Sequence, residues 1–165
     1  MIVKETRVKT GSGHKALAAH VLQGEKNEAI LVLEGSEYWL KDWGKEAKRE
    51  GLTYGLRHIA FNPEQTMTDG ELSEFADRLC EEFGADKASR SLILHQKDGK
   101  RHGHLILPEW QHDHVLSSRF SYIRLEKVAR LEEIRLGHPL TAGRHDAANR
   151  LSLSHMSRHL LAPRD

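Results

Sequence analysis

Two apolar runs dominate the middle of the chain, Leu92-Ile93-Leu94 and Leu105-Ile106-Leu107, with Lys97-Asp98-Gly99-Lys100 between them. Short apolar runs bounded by turn residues read as strands. Asp-Gly between two such runs predicts a type I′ hairpin, because that turn needs positive φ at both central residues. The run Ala29–Leu33 and the segment Leu56–Phe61, ended by Asn62-Pro63, predict two more strands. Met1–Thr10, alternating around Ile2, Val3 and Val8, predicts an edge strand or an ordered arm.

Helical spacing fills the intervals. Ser12 offers an N-cap for a short helix over His14–Leu22, with Leu17, His20 and Val21 on one face and Gly24 to stop it. Tyr38–Glu50 carries Trp39, Leu40, Trp43 and Ala47 as a stripe that packs this helix on a sheet. Thr68 and Glu71 match a capping box. The helix they open sets Leu72, Phe75, Ala76, Leu79, Cys80 and Phe83 on one side and closes at Gly84. Val115–Phe120 reads as a short strand or a loop, and Ser121–Leu136 as a charged helix ended by Gly137-His138-Pro139. A last helix is expected over 150–161, in the terminal stretch 150–165. The order of elements favours an α+β fold: a mainly antiparallel sheet of about five strands, with helices on one face and the other face open. No repeat or domain boundary is visible, so 1–165 reads as one domain.

Composition changes this picture little. Of 165 residues, 38% are apolar and 30% charged, ordinary for a globular protein. Lys+Arg number 25 against 24 Asp+Glu, so any surface for nucleic acid must come from local clustering. The single cysteine, Cys80, excludes an intrachain disulfide and suits a reducing compartment. With no signal peptide or long apolar run, a cytoplasmic protein without a membrane span is expected.

The twelve histidines change it more. If Asp98 and Gly99 are the turn, counting outward pairs Lys97 with Lys100, Gln96 with Arg101, His95 with His102 and Ile93 with His104. Side chains alternate along a strand and directly opposed residues share a face, so His95, His102 and His104 fall on one side of the hairpin. Three imidazoles at that spacing can converge on one metal ion. Three neutral histidine ligands that leave positions open describe a catalytic rather than a closed structural site, though they do not name the metal. A slip of one residue in the turn would send His95 to the opposite face.

His102-Gly103-His104 between apolar residues, with His95 upstream, resembles the three-histidine motif of plasmid relaxases, the VirD2-like and MobA-like mobilisation nucleases of the HUH endonuclease superfamily. The surrounding segments GSGHKALAAHVL, NEAILVLEG, HIAFNPEQTMTDGEL and GHPLTAGRH are similar in order and character over about residues 1–150. The resemblance implies a five-stranded antiparallel sheet, a divalent metal (manganese, magnesium or zinc), nicking of single-stranded DNA at a transfer origin, and a covalent 5′-phosphoryl link to the protein. It also implies relaxosome accessory proteins as partners.

This chain departs from the family pattern in two places. Relaxases usually carry a nucleophilic tyrosine in the first helix; Leu17-Ala18-Ala19-His20 puts a histidine there. Neutral imidazole can attack phosphorus, so His20 is the first candidate nucleophile, with Tyr38 and Tyr54 in reserve. The Asp and Asn that often accompany the ligands are replaced by Lys97 and by Pro108 or Glu109, leaving Glu109 and His58 as candidates to orient the imidazoles. Arg57, Lys100, Arg101, Arg119 and Arg144 are the candidate DNA contacts. Thr141, Gly143, His145 and Asn149 also suit a phosphate backbone. The alternative is a non-catalytic, relaxase-like accessory protein that binds the origin without cutting it. A histidine-triad hydrolase needs a third alternate histidine, and that position holds Ile106.

Overall fold

The computed structural model describes residues 1–24, 29–147 and 149. Strands β1 (Ile2–Lys9), β2 (Ala29–Glu34), β3 (Tyr54–Asn62), β4 (Ser91–Lys97) and β5 (Lys100–Pro108) form one five-stranded sheet in the order β1-β3-β5-β4-β2. Every neighbouring pair is antiparallel. Helices α1 (Gly13–Leu22), α2 (Glu37–Arg49), α3 (Asp69–Phe83) and α4 (Ser121–Leu136) complete the α+β fold. None is long and apolar enough to cross a membrane. The helix expected over 150–161 lies outside the described residues.

The β4–β5 hairpin has the expected register: Lys97 opposes Lys100, His95 opposes His102 and Ile93 opposes His104. Asp98 and Gly99 both have positive φ, 50° and 68°, as a type I′ turn requires. Thr68 and Glu71 form the expected capping box of α3, which ends at Gly84 in the left-handed region. Ser12 does stand at the N-cap of α1, but its side chain makes no capping hydrogen bond. Val115 makes one isolated bridge, to Trp110, in an otherwise irregular segment.

The helices do not gather on one face. α3 and α4 cover the side of the sheet that presents Ile59, Phe61, Leu92, Leu94, Leu105 and Leu107. α1 and α2 cover part of the reverse side, over Leu56, Ile93 and Ile106. The reason is in the sequence. β4 and β5 are apolar on both faces, and a strand of that kind must be covered twice. The histidines therefore share their face with two helices, and among the described residues the part near β1 and the hairpin turn is left uncovered. α2 lies close to β3 through paired glycines: a Cβ on Gly55 would stand 3.1 Å from the Cα of Gly44. Trp39 is excluded from the buried stripe of α2, which is Leu40, Gly44 and Ala47 with Trp43 half-buried.

Beneath the α3/α4 side lies a buried ion pair. Arg57 Nη2 is 3.1 Å and Nε 3.3 Å from the two carboxylate oxygens of Glu109. Its other bonds go to the carbonyls of Leu116 and Ser117, and Arg7 donates to Glu109 at 2.9 Å. Two sequence expectations are corrected here. Arg57 is wholly buried and spends its donors internally, so it does not contact DNA. Glu109 sits on the face away from the histidines and cannot orient them. Strand alternation puts Arg57 opposite His58 and Glu109 opposite Pro108, so both polar groups end up under the helices, where each needs the other.

Gly103, between two of the histidines, directly opposes Phe61. A Cβ there would stand 2.1 Å from Cζ of the Phe61 ring, far inside contact distance. Phe61 is itself held edge-on by Phe75, with ring centres 5.2 Å apart. Gly103→Ala is therefore expected to destabilise the fold by about 1–3 kcal/mol through overpacking, read by urea denaturation. Adding Phe61→Leu should recover part of the loss; no loss in the single variant would mean the ring can move aside.

Candidate metal centre

The hairpin brings His95, His102 and His104 together as expected. One nitrogen from each lies within 4.8 Å of the other two. His95 and His104 are buried and His102 is half-buried. The outer contact of His95 sets its protonation. His95 Nε2 is 2.6 Å from the carbonyl oxygen of Val21, so Nε2 carries the proton and donates. That leaves a lone pair on His95 Nδ1, which is 3.1 Å from His104 Nε2.

His104 in turn meets His58 from the neighbouring strand. His58 Nε2 and His104 Nδ1 are 2.8 Å apart, and the two rings stack with centres 5.0 Å apart. If His104 donates from Nδ1 to His58, its Nε2 lone pair faces the lone pair of His95 across 3.1 Å. A cation satisfies that arrangement. Two nitrogens on a tetrahedral metal, each about 2.0–2.1 Å from it, stand about 3.3 Å apart. The donor set thus fits a divalent ion, with His58 and the Val21 carbonyl fixing two of the three ligand rings.

Burial keeps these rings neutral. His58 is driven from 6.5 to about 4 and His104 to about 2, in both cases first by desolvation and then by the neighbouring histidines. His95 and His102 are also lowered, again mainly by burial. Neutral imidazole is the form that binds metal, so protons compete weakly for the site at neutral pH.

The other predicted residues fall into distinct places. His20, exposed on the last turn of α1, has its ring centre 5.6 Å from His104 and 6.3 Å from His58. Tyr38 is 71% exposed on the first turn of α2. Tyr54 lies under the guanidinium of Arg7, 4.3 Å from it, on the side of the Glu109 cluster. Lys100 is exposed and shares the histidine face by register. Arg101 alternates to the opposite face and pairs with Asp69. Arg119 is exposed over the Phe120 ring. Arg144 is exposed, but the polar groups around it are used internally: Thr141 bonds Glu133, the Arg144 and His145 amides bond Glu126, and Asn149 bonds Ile123.

His58 joins the centre through the pairing of β3 with β5, where Ala60 opposes His104 and His58 opposes Ile106. Its side of the strand was legible from alternation; its neighbour was not. The Val21 carbonyl left no trace in the sequence, because any residue there would supply it.

His95, His102 and His104 thus form a group that could hold a metal ion, at the boundary between buried and open sheet. A family model for relaxases, the MobA/VirD2-like nuclease domain, matches residues 36–137. That stretch is more than half of the chain and contains His58, His95, His102 and His104, so the protein belongs to this family. No curated protein and no solved structure matches it.

Two outcomes are expected. The metal-free protein should lose stability as pH falls from about 7 toward 4. His58 and His104 stay neutral in the fold while the unfolded chain takes up protons below its ordinary pKa of about 6.5, so the slope approaches 1.4 kcal/mol per pH unit for each. Urea midpoints at pH 7, 6 and 5 would show it, and a flat profile would mean the rings are hydrated. In calorimetric titration with zinc or manganese, one site per chain should be lost in His102→Ala/His104→Ala. His58→Ala should retain that site with affinity about 10–100-fold weaker.

Proposed function

We propose that this chain is a relaxase that nicks single-stranded DNA at a plasmid transfer origin, with a divalent metal on His95, His102 and His104 and with His20 as nucleophile. The observation that carries the reading is the position of the His20 ring, exposed at the edge of the histidine cluster, 5.6 Å from His104 between ring centres. An imidazole there can reach a phosphate resting on the trio. Neither tyrosine is in an equivalent place. The all-nitrogen donor set favours zinc over magnesium or manganese, which prefer oxygen ligands.

When bound, the metal polarises a phosphoryl oxygen and orients the phosphate for in-line attack. The chain does the rest. Val21 and His58 hold two ligand rings in place. The His20 lone pair forms a bond to phosphorus as the bond from phosphorus to the 3′ oxygen breaks. The 3′ oxygen leaves as a hydroxyl, taking up a proton, and the imidazole gives up its N–H proton, so charge balances. The 5′-phosphoryl end stays on His20 as a phosphoramidate. Attack by a 3′-hydroxyl reverses the step and rejoins the strand. The partners in this reading are the single-stranded origin and relaxosome accessory proteins. The accessory-protein alternative would need neither preset ligand rings nor His20 beside them.

The test is capture of the adduct. Protein with manganese or zinc is incubated with a random pool of single-stranded oligonucleotides, and covalent species are isolated on a denaturing gel. The adduct should be acid-labile, as a phosphoramidate is, and absent in His20→Ala, which should still bind metal. An acid-stable adduct, or one that survives His20→Ala, would move the chemistry to Tyr38 or Tyr54. No adduct with metal-loaded protein would favour the accessory reading.

A further inference from the structure

The two edges of the sheet are built differently. β1 carries Lys4, Glu5, Arg7 and Lys9, and charges of this kind keep a foreign strand off an edge. β2 has no charge from Ala29 to Leu33. Its first charged residue, Glu34, is held by Arg90 through bonds of 2.7 and 2.8 Å. Among the described residues β2 pairs with β4 alone, so its outer backbone groups have no strand partner there. The edge is also apolar on both faces. Ile30 opposes His95 and Val32 opposes Ile93 on the histidine face, while Leu31 opposes Leu94 on the α3/α4 side. Leu31 is 45% and Val32 43% exposed, so neither pair of helices reaches the edge. Tyr38 and Trp39, on the first turn of α2, are exposed as well. Of the nine large apolar side chains exposed among the described residues, four thus fall between positions 31 and 39. Beside Leu31 a cavity of about 160 Å³ runs past Ala29, Leu94, Gln96 and Arg101.

A strand that covers this edge must be short, extended and uncharged, and β2 itself is such a strand. Pairing β1 of one copy with β2 of another would set the charges of β1 against Leu31 and Val32, and it would propagate without closing. Pairing β2 with β2 about a two-fold axis closes after two copies. Directly opposed residues share a face, so the axis passes through a residue rather than between two. At Leu31 it sets Ile30 against Val32 and Ala29 against Leu33, with no charge opposite a charge. Leu31 of each copy then borders the cavity of the other. We infer that β2 is the docking edge for a second copy of this chain, paired antiparallel through Leu31, so that two five-stranded sheets become one. An axis normal to the sheet puts both histidine faces on the same side. Three strand spacings, about 14 Å, separate the two copies of β4. Each trio stays within its own copy, so the inference stands apart from the relaxase reading.

The experiment is sedimentation equilibrium of the full chain from about 1 to 100 μM, the range in which a micromolar dimer assembles. The wild-type mass should rise from 18.8 kDa toward twice that value. Leu31→Lys, which puts a charge on the edge, should stay monomeric throughout. Its urea midpoint should match the wild type, because position 31 is exposed. Val115→Lys, at an exposed apolar position away from β2, should dimerise as the wild type does. A second measurement does not need a charged variant to fold. Opposed Cβ atoms lie about 4.5–5.5 Å apart, close to disulfide reach. Oxidised Leu31→Cys should therefore run as a covalent dimer on a non-reducing gel, while the wild type, whose Cys80 is buried, should not. A wild type that stays monomeric at every concentration, with no cross-link in Leu31→Cys, overturns the inference. So does a dimer that persists in Leu31→Lys, since the contact would then lie elsewhere. A monomeric wild type that binds an uncharged extended peptide, in a manner lost in Leu31→Lys, would give the edge to another protein and also overturn it.

Discussion

A two-residue turn fixes everything else at the centre of this protein. Asp98 and Gly99 both adopt positive φ, and that choice sets which side chains of β4 and β5 face which way. One parity carries His95, His102 and His104; the other carries Leu92, Leu94, Leu105 and Leu107. A one-residue slip would bury imidazoles among the leucines and turn leucines toward the uncovered part of the sheet. Each set therefore holds the other in register. Gly103 tightens the lock, because the Phe61 ring occupies the space where its side chain would be. The spacing of the candidate ligands is thus guarded by packing on the reverse side of the sheet.

The two faces treat buried polarity in opposite ways. On the α3/α4 side, charge is retained and paired: Glu109 is held by Arg57 and Arg7, with backbone carbonyls taking the remaining donors of Arg57. Losing either partner of such a pair leaves an uncompensated charge, so the cluster is a structural commitment. On the other side, charge is removed. The histidines pack against one another, and desolvation holds His58 and His104 neutral. The ligand rings are oriented by another imidazole and by a backbone carbonyl rather than by carboxylates. A cation bound there would keep its full charge for an anionic substrate, where a carboxylate partner would have offset part of it.

How much of this was legible beforehand follows from the range of the interactions. The hairpin register, the α3 capping box and the trio depend on residues a few positions apart, and each was readable. The double covering of the sheet was also written in β4 and β5, whose apolar runs lack the polar alternation of a half-exposed strand. Treating one face as open underweighted that signal. Arg57 shows the other limit. Its alternation with His58 was visible, but which face would meet α3 and α4 was not, and that decided between a DNA contact and a buried ion pair. His58 was a candidate to orient the imidazoles, but which ring it meets needed the pairing of β3 with β5, a long-range event that leaves no local mark.

The end of α1 ties these strands together. A helix leaves its last four carbonyls without internal partners, and in α1 these include the carbonyl of Val21. His95 supplies the missing donor. That one bond satisfies the helix end, selects the tautomer of a candidate ligand and fixes the last turn of α1 against β4. His20 stands one residue earlier on the same turn, so its approach to His104 is set by the bond its neighbour makes. α1 lies outside the stretch matched by the relaxase family model, 36–137, yet it orients one ligand and carries the candidate nucleophile. Under the proposed reading, a histidine in place of the usual tyrosine would be less a loss than a change of reach. Imidazole is shorter than phenol, and a helix end docked directly onto a candidate ligand ring is the arrangement in which that shorter side chain would still reach a phosphate on the trio.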